Sequence, residues 1–307
     1  MTAVDLTVNI GGIKLKNPVT AASGTFGYGL EFQQFYDIQA LGGIMVKGTT
    51  LEPRAGNPPP RIMETAAGML NSVGLENPGV DHVIEVVMSK LRDLDLAVMI
   101  NVSGNTVEEY GLIAKKLDQV KGVAGLEINI SCPNVKKGGM AFGTYPHEAA
   151  KVVREVREKT KLPLIVKLSP NVTDIVEIAK SVAAVGADAI SLINTLLAMA
   201  IDINKQKPIF NNIFAGLSGP AIKPIALRMV WQVSQAVKLP VIGMGGITSA
   251  ADAIEFMLAG ASAVSIGAGN FVNPCLALEV IAGIEAYCQE KGINQVQDLV
   301  GAAWKNN

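Results

Sequence analysis

The chain has 307 residues, of which 49% are hydrophobic and 17% are charged, and its formal net charge is −1 at pH 7. This length and hydrophobic content allow one large α/β barrel or two smaller domains. The near-zero net charge excludes the basic surface of a nucleic-acid-binding protein.

Eight short apolar runs alternate with segments of helical periodicity. The predicted strands are residues 18–22, 43–47, 97–102, 126–130, 164–168, 189–194, 241–245 and 263–267. The predicted helices are residues 106–120, 147–161, 172–185, 221–237 and 250–258. Alternating strands and helices form right-handed βαβ units, and eight units predict a single (β/α)8 TIM barrel domain over residues 1–307. The alternative, a doubly wound open sheet, needs an early dinucleotide fingerprint that residues 24–27 do not supply.

Two additions to the barrel are predicted. Residues 6–10 and 13–15, joined by Gly11-Gly12, form a hairpin that we expect to cover the bottom of the barrel. Long connections follow the second and sixth strands, at residues 49–78 and 195–217. Long loops after barrel strands lie on the catalytic face and often act as lids, so we expect a functional role for both.

The compartment is predicted from the termini, the apolar runs and the cysteines. The amino terminus lacks a basic segment followed by an apolar core, so no signal peptide is expected. The most apolar region, residues 182–201, contains Gly186, Asp188 and Asn194 and does not predict a membrane span. Three cysteines without a C-x-x-C pair predict free thiols in a reducing cytoplasm, and no zinc site or iron–sulfur cluster held by this chain alone.

Two glycine clusters end the seventh and eighth predicted strands, at residues 242–247 and 265–270. Glycine lets backbone N–H groups approach a phosphate closely, and barrels bind phosphate at the ends of these strands. One cluster alone would indicate a tight turn, whereas two consecutive clusters favour a phosphate site. The ligand is either a substrate phosphate or the phosphate of flavin mononucleotide (FMN), and residues 216–220 offer a further backbone donor.

Polar residues lie at or after the other predicted strand ends. Two lysines, Lys47 and Lys167, end apolar strands and require anionic partners unless they reach solvent at the barrel rim. The same rim carries Ser23, Asn101, Asn129, Asn194 and Thr195, and together these residues favour a ligand site.

Cys132 follows the fourth predicted strand, where barrel enzymes place catalytic groups, in a loop that favours an accessible thiol. The two histidines, His82 and His147, are near predicted helix starts and are interpreted as surface or capping residues. A Ser-His-Asp triad or a histidine metal site is therefore not supported.

These residues together resemble class 1 dihydroorotate dehydrogenase, the flavin enzyme of pyrimidine synthesis, over essentially the whole chain. The most specific matches are Asn-x-Ser-Cys-Pro-Asn at residues 129–134 and Asn-x-x-Gly-x-x-Asn-Pro-Gly at residues 71–79. Further matches are residues 22–24, 45–50, 166–171, 193–195 and 217–220, Arg61 and the glycine clusters. The chain is most similar to the catalytic subunit of the NAD-dependent, heterotetrameric type, class 1B.

The resemblance implies a site for one FMN and for dihydroorotate. The residues implied to bind FMN are Ser23, Lys47, Gly48, Asn101, Asn129, Lys167, Ile193, Gly219, Gly245, Gly246, Gly267 and Ala268. Those implied to bind dihydroorotate or orotate are Lys47, Asn71, Ser72, Val73, Gly74, Leu75, Asn129, Asn194 and Thr195. Cys132 is implied to take the proton from C5 while C6 gives hydride to flavin N5. Lys167 is implied to stabilise negative charge on the reduced flavin.

The electron acceptor is implied to be NAD, reached through a partner subunit that carries FAD and a [2Fe–2S] cluster, because this chain has no cysteine cluster and no early dinucleotide fingerprint. The implied assembly is a homodimer core within a heterotetramer. The fumarate-reducing homodimer of class 1A is the close alternative. More remote alternatives are a Schiff-base aldolase that uses Lys167 and a barrel that only binds a phosphorylated metabolite.

Overall fold

A computed structural model describes residues 4–131, 133–134 and 140–305, with the side chains of residues 133–134 and 140–141 left out of the description. No helix in these residues is both long and apolar enough to cross a membrane.

The predicted eight-stranded parallel barrel is confirmed, and its strands follow one another around the ring in chain order. They are β3 (Val19–Ala21), β4 (Gly43–Thr49), β7 (Ala97–Val102), β8 (Val123–Asn129), β11 (Leu164–Lys167), β12 (Ala189–Leu192), β17 (Val241–Met244) and β18 (Ala263–Ile266). Their residues are almost all buried, because helices cover the outside of the ring and side chains fill its interior. The sixth predicted strand stops at Leu192, so Asn194 and Thr195 lie in the connection beyond it.

In the residues that the structure describes, α-helices follow every barrel strand except β3. They are α1 (Val80–His82), α2 (Met88–Leu91), α3 (Val107–Leu117), α4 (Pro146–Lys159), α5 (Ile175–Ala183), α6 (Lys223–Ala236), α7 (Ala250–Leu258), α8 (Gly269–Val272), α9 (Leu276–Lys291) and α10 (Ala302–Lys305). The five helices predicted from periodicity are confirmed as α3 to α7. A π-helical turn, Val83–Val87, joins α1 to α2, and 3-10 turns lie at Leu30–Gln34, Ile38–Ala40, Phe142–Thr144, Pro220–Ile222 and Val296–Leu299. Thr106, Asp174 and Ser249 cap α3, α5 and α7 by accepting hydrogen bonds from backbone N–H groups.

The amino-terminal hairpin lies at the bottom of the barrel, as predicted. It pairs β1 (Val8–Ile10) with β2 (Ile13–Leu15), and the first and last residues of each strand are buried while the middle residue is exposed. A methyl group added to Gly11 would lie 2.5 Å from the carbonyl oxygen of Asp188, which directly precedes β12. The hairpin therefore packs where barrel strands begin, away from the strand ends that carry the predicted site.

The two long connections contain short strands that were not predicted. They contribute β5 (Ile62–Thr65), β6 (Gly68–Asn71), β13 (Leu196–Ala198) and β16 (Ala215–Ser218) to one antiparallel sheet in the order β13-β16-β6-β5. Further short pairs are β9 (Pro133–Asn134) with β10 (Met140–Ala141) and β14 (Ile201–Asp202) with β15 (Lys207–Pro208). The four-stranded sheet went unpredicted because each strand is only three or four residues long and because the pairing of β6 with β16 joins residues that are far apart in sequence.

Candidate active site

A buried carboxylate and a buried ammonium group lie side by side in the barrel. Nζ of Lys167, at the end of β11, is 3.9 Å from Oε2 of Glu127 in β8, and their side chains are 6% and 0% exposed. Oε1 of Glu127 accepts a hydrogen bond from Oγ of Ser191 at 2.8 Å, and Oε2 accepts one from Nδ2 of Asn101 at 2.5 Å and one from Oγ of Ser23 at 3.4 Å. Lys167 also donates to Oγ of Ser23 at 3.4 Å. Three predicted cofactor residues thus converge on one carboxylate.

A second group consists of amide and hydroxyl residues predicted to bind the substrate. Oδ1 of Asn129 accepts a hydrogen bond from Nδ2 of Asn194 at 3.2 Å, and Oδ1 of Asn194 accepts one from the N–H of Thr195 at 2.8 Å. Nδ2 of Asn71 donates to the carbonyl oxygen of Gly216 at 3.2 Å. A methyl group on Gly216 would lie 2.3 Å from Oγ1 of Thr195 and 3.3 Å from Nδ2 of Asn71, so residues of both long connections meet at this glycine.

The predicted substrate segment, residues 71–75, is held by the chain that precedes it. Nδ2 of Asn57 donates to the carbonyl oxygen of Ser72 at 3.0 Å, and the N–H of Asn57 donates to that of Val73 at 2.9 Å. A methyl group on Gly74 would lie 2.6 Å from Cγ of Asn57. Nε of Arg61 donates to the carbonyl oxygen of Asn57 at 2.5 Å, which fixes the supporting turn in its place.

Gly48 connects the substrate segment with the cofactor residues. A methyl group at this position would lie 3.1 Å from Oδ1 of Asn101 and 3.1 Å from Cδ2 of Leu75. Oδ1 of Asn101 is buried and accepts no hydrogen bond from any residue that the structure describes. A buried acceptor without a donor is costly, so this atom is suited to a ligand that donates a hydrogen bond.

The predicted glycines of the phosphate site gather after β16 and β17. Gly219, Gly245 and Gly246 have φ values of 96°, 127° and 77°, a region that favours glycine. A methyl group on Gly246 would lie 2.8 Å from the carbonyl oxygen of Gly219. One on Gly245 would lie 3.5 Å from Cγ1 of Ile193. These four predicted cofactor residues therefore form one contiguous surface.

The loop after β18 adjoins this surface and leaves open space. A methyl group on Gly267 would meet no atom within 4 Å, and Ala268 directly precedes α8. A methyl group on Gly269 would lie 2.8 Å from the carbonyl oxygen of Ile247, which connects this loop to the one after β17. Oδ1 of Asn270 is a second buried acceptor without a described donor.

Asp252 stabilises the loop that carries the glycines. Its Oδ1 lies 2.6 Å from Nζ of Lys223, and its Oδ2 accepts hydrogen bonds from Thr248 and from Oγ of Ser249. Burial raises the pKa of this carboxyl group, but the hydrogen bonds from Lys223, Thr248 and Ser249 outweigh burial and lower the pKa to about 2. Cβ of Lys223 would lie 2.8 Å from a methyl group on Gly246, so the ion pair supports the glycine loop directly.

Other predicted residues are not brought into these groups. Lys47 is half-buried in β4, and no carboxylate within the described ranges forms a salt bridge with it. Cys132 lies outside the described residues. His82 and His147 are exposed, which confirms their interpretation as surface residues.

The sequence analysis did not identify Glu127 or Asp252. A signal for Glu127 existed, because it is a lone acidic residue in an apolar run that neighbours the strand of Lys167, which itself requires an anion. The sequence indicates Asp252 more weakly. It follows Ser249 by three residues, which is the spacing between a helix-capping serine and the acidic residue of a capping box.

The fold and the site define a (β/α)8 barrel with glycine-rich loops and a cluster of polar side chains at the carboxyl ends of its strands, which is where barrel enzymes carry their active sites. The family model described as dihydroorotate dehydrogenase matches residues 5–287. The chain is 58% identical over 300 residues to the protein named dihydroorotate dehydrogenase B (NAD(+)), catalytic subunit, of Desulforamulus reducens, with 98% of this chain and 99% of the relative covered.

Proteins of the same name give similar matches in two other organisms. The identity is 59% over 302 residues in Geotalea daltonii, with 98% of this chain and 99% of the relative covered. It is 56% over 299 residues in Thermoanaerobacter pseudethanolicus, with 97% and 99% covered. The chain belongs to the dihydroorotate dehydrogenase family, whose members are flavin-dependent oxidoreductases.

Proposed function

We propose that the chain is the catalytic subunit of an NAD-dependent dihydroorotate dehydrogenase, which oxidises (S)-dihydroorotate to orotate in pyrimidine (UMP) synthesis. The observation that carries this proposal is the match, at 58% identity and nearly full length on both sides, to relatives that have this name. The site agrees with it, because a buried lysine, an amide cluster and a glycine surface lie at the ends of neighbouring barrel strands.

The cofactor is FMN, one per chain, within a single barrel domain of residues 1–307. Two observations support the fit: the open space around Gly267, and the buried Oδ1 of Asn101, which accepts no hydrogen bond from the described part of the chain. Backbone N–H groups after β17 and β18 would hold the phosphate, and Lys167 would face the negative charge of the reduced ring. When bound, the flavin accepts the hydride from C6 of the substrate.

The chain's own residues would bind the substrate and remove a proton. Asn129 and Asn194 offer amide donors and acceptors that match the imide groups of dihydroorotate, and Lys47 offers a cation for its carboxylate. Cys132 would remove the proton from C5. A free thiol has a pKa near 8.5, so modest stabilisation of the thiolate makes it a usable base near neutral pH.

The electrons would leave through a partner subunit that carries FAD and a [2Fe–2S] cluster and reduces NAD. The name of the relatives, catalytic subunit, supports the existence of a partner. The assembly would be a homodimer core within a cytoplasmic heterotetramer. Apolar side chains around the four-stranded sheet offer surface for subunit contacts, since Leu197, Ile203 and Phe214 are 63%, 81% and 51% exposed.

The test is a visible spectrum of the chain under anaerobic conditions before and after the addition of dihydroorotate. We expect flavin bands that bleach with dihydroorotate and stay bleached with fumarate. Reoxidation by fumarate would favour the class 1A homodimer. Flavin that stays oxidised would refute the substrate. A colourless protein that FMN does not reconstitute would refute the cofactor, and borohydride trapping of substrate on Lys167 would then test the aldolase alternative.

A further inference from the structure

Glu127 is a fully buried carboxylate to which the proposed reaction gives no part. It lies in β8 and receives hydrogen bonds from Ser191 in β12, from Asn101 in β7 and from Ser23 just after β3. Lys167 is 3.9 Å away and is buried as well. Isolated charges are not stable in such a place, and a carboxylate with donors on both oxygens beside an ammonium group is an ion pair.

We propose that Glu127 is a positioning residue that sets the reduction potential of the bound flavin by balancing the charge of Lys167. This inference rests on the proposed function, because it assumes that FMN binds beside Lys167. Reduced flavin carries negative charge, so an unbalanced lysine would favour the reduced form strongly. A carboxylate behind the lysine offsets part of this field and keeps the flavin able to pass its electrons on.

Glu127 also determines which atom of Asn101 faces the ligand. Because the amide nitrogen of Asn101 donates to Glu127 at 2.5 Å, the amide oxygen points away, beside Gly48, where it accepts no hydrogen bond from the described residues. Glu127 thereby orients Asn101 so that its amide oxygen faces the site as a hydrogen-bond acceptor. The ligand atom that meets this oxygen is a donor such as an N–H or O–H group.

The test uses the FMN-loaded chain and compares its midpoint potential in three variants. Glu127→Gln removes the negative charge at constant shape, so we expect a more positive potential. The ratio of reduced to oxidised flavin at a fixed solution potential should rise at least tenfold, which is about 30 mV for a two-electron couple. Ser191→Ala removes a donor from Oε1 and leaves the carboxylate less compensated. We therefore expect a smaller shift in the opposite direction.

Thr20→Val is the matched control. Thr20 is buried in β3, and its Oγ1 donates a hydrogen bond to the carbonyl oxygen of Val264 at 3.0 Å, outside the Glu127 cluster, so the potential should stay unchanged. A general loosening of the barrel would shift the midpoint potential of Glu127→Gln and of Ser191→Ala in the same direction, and this outcome would overturn the inference. An unchanged potential in Glu127→Gln would also overturn it. If Glu127→Gln does not fold, Ser191→Ala decides. A more negative midpoint potential in Ser191→Ala would support the inference, and a more positive or unchanged potential would overturn it.

The two proposals fail in distinguishable ways. A wild-type chain that binds no FMN refutes the proposed function and the inference together. A wild-type chain that binds FMN and is bleached by dihydroorotate, with a potential that does not respond to Glu127→Gln, refutes the role of Glu127 alone.

Discussion

Asp252 gives a quantitative prediction about stability and pH. Its carboxylate accepts hydrogen bonds from Thr248 and Ser249 and pairs with Lys223 at 2.6 Å, while its side chain is 12% exposed. These contacts lower the pKa from 3.8 to about 2 against the opposing effect of burial. A shift of this size corresponds to about 2 kcal/mol of folding free energy at neutral pH.

The sign of the pH dependence follows from the direction of the shift. Because the pKa is lower in the folded than in the unfolded chain, the stabilisation is complete well above pH 3.8. It is lost as the pH falls toward about 2, where the folded chain is also protonated. The Asp252→Asn variant should therefore be less stable than the wild type by about 2 kcal/mol at pH 7, and by about half of this near pH 3.

The measurement is urea unfolding of the FMN-free chain at several pH values, for the wild type and for Asp252→Asn. Asp93→Asn is the control, because Asp93 is mostly exposed and pairs with Lys121 at the surface, and it should change the unfolding free energy far less. A difference between wild type and Asp252→Asn that stays constant from pH 7 to pH 3 would refute the electrostatic explanation. It would point to packing instead.

Three further predictions concern the site and its support. Cys132→Ser should fold and bind FMN but lose most of its turnover near neutral pH, and near-normal turnover would remove Cys132 from the role of base. Gly267→Leu should leave the unfolding free energy near the wild-type value, because the added side chain begins in open space, yet weaken FMN binding at least tenfold in a fluorescence titration. Equal FMN affinity would place the phosphate elsewhere. Tyr110→Phe removes the 2.6 Å hydrogen bond from the buried phenol to the carbonyl oxygen of Asn129, and it should lower the unfolding free energy by about 1 kcal/mol in urea. No change in stability would show that water replaces this donor.

The sequence by itself determined the barrel and most of its rim. Buried parallel strands are continuous apolar runs, and segments of helical periodicity separate most of them, so every barrel strand was located within a few residues. Glycines and lysines at the strand ends could also be predicted, because Gly245, Gly246 and Lys167 contradict a plain apolar strand.

Only the tertiary structure decided how distant residues pair. Glu127 and Ser191 are 64 residues apart in the chain, and their contact exists because closure of the barrel directs both side chains into its interior. The four-stranded sheet likewise joins two connections that local patterns describe as loops. A sequence pattern shows how each residue suits its neighbours along the chain. The partner of a buried charge is decided by closure of the barrel, which brings together residues of strands that are distant in sequence.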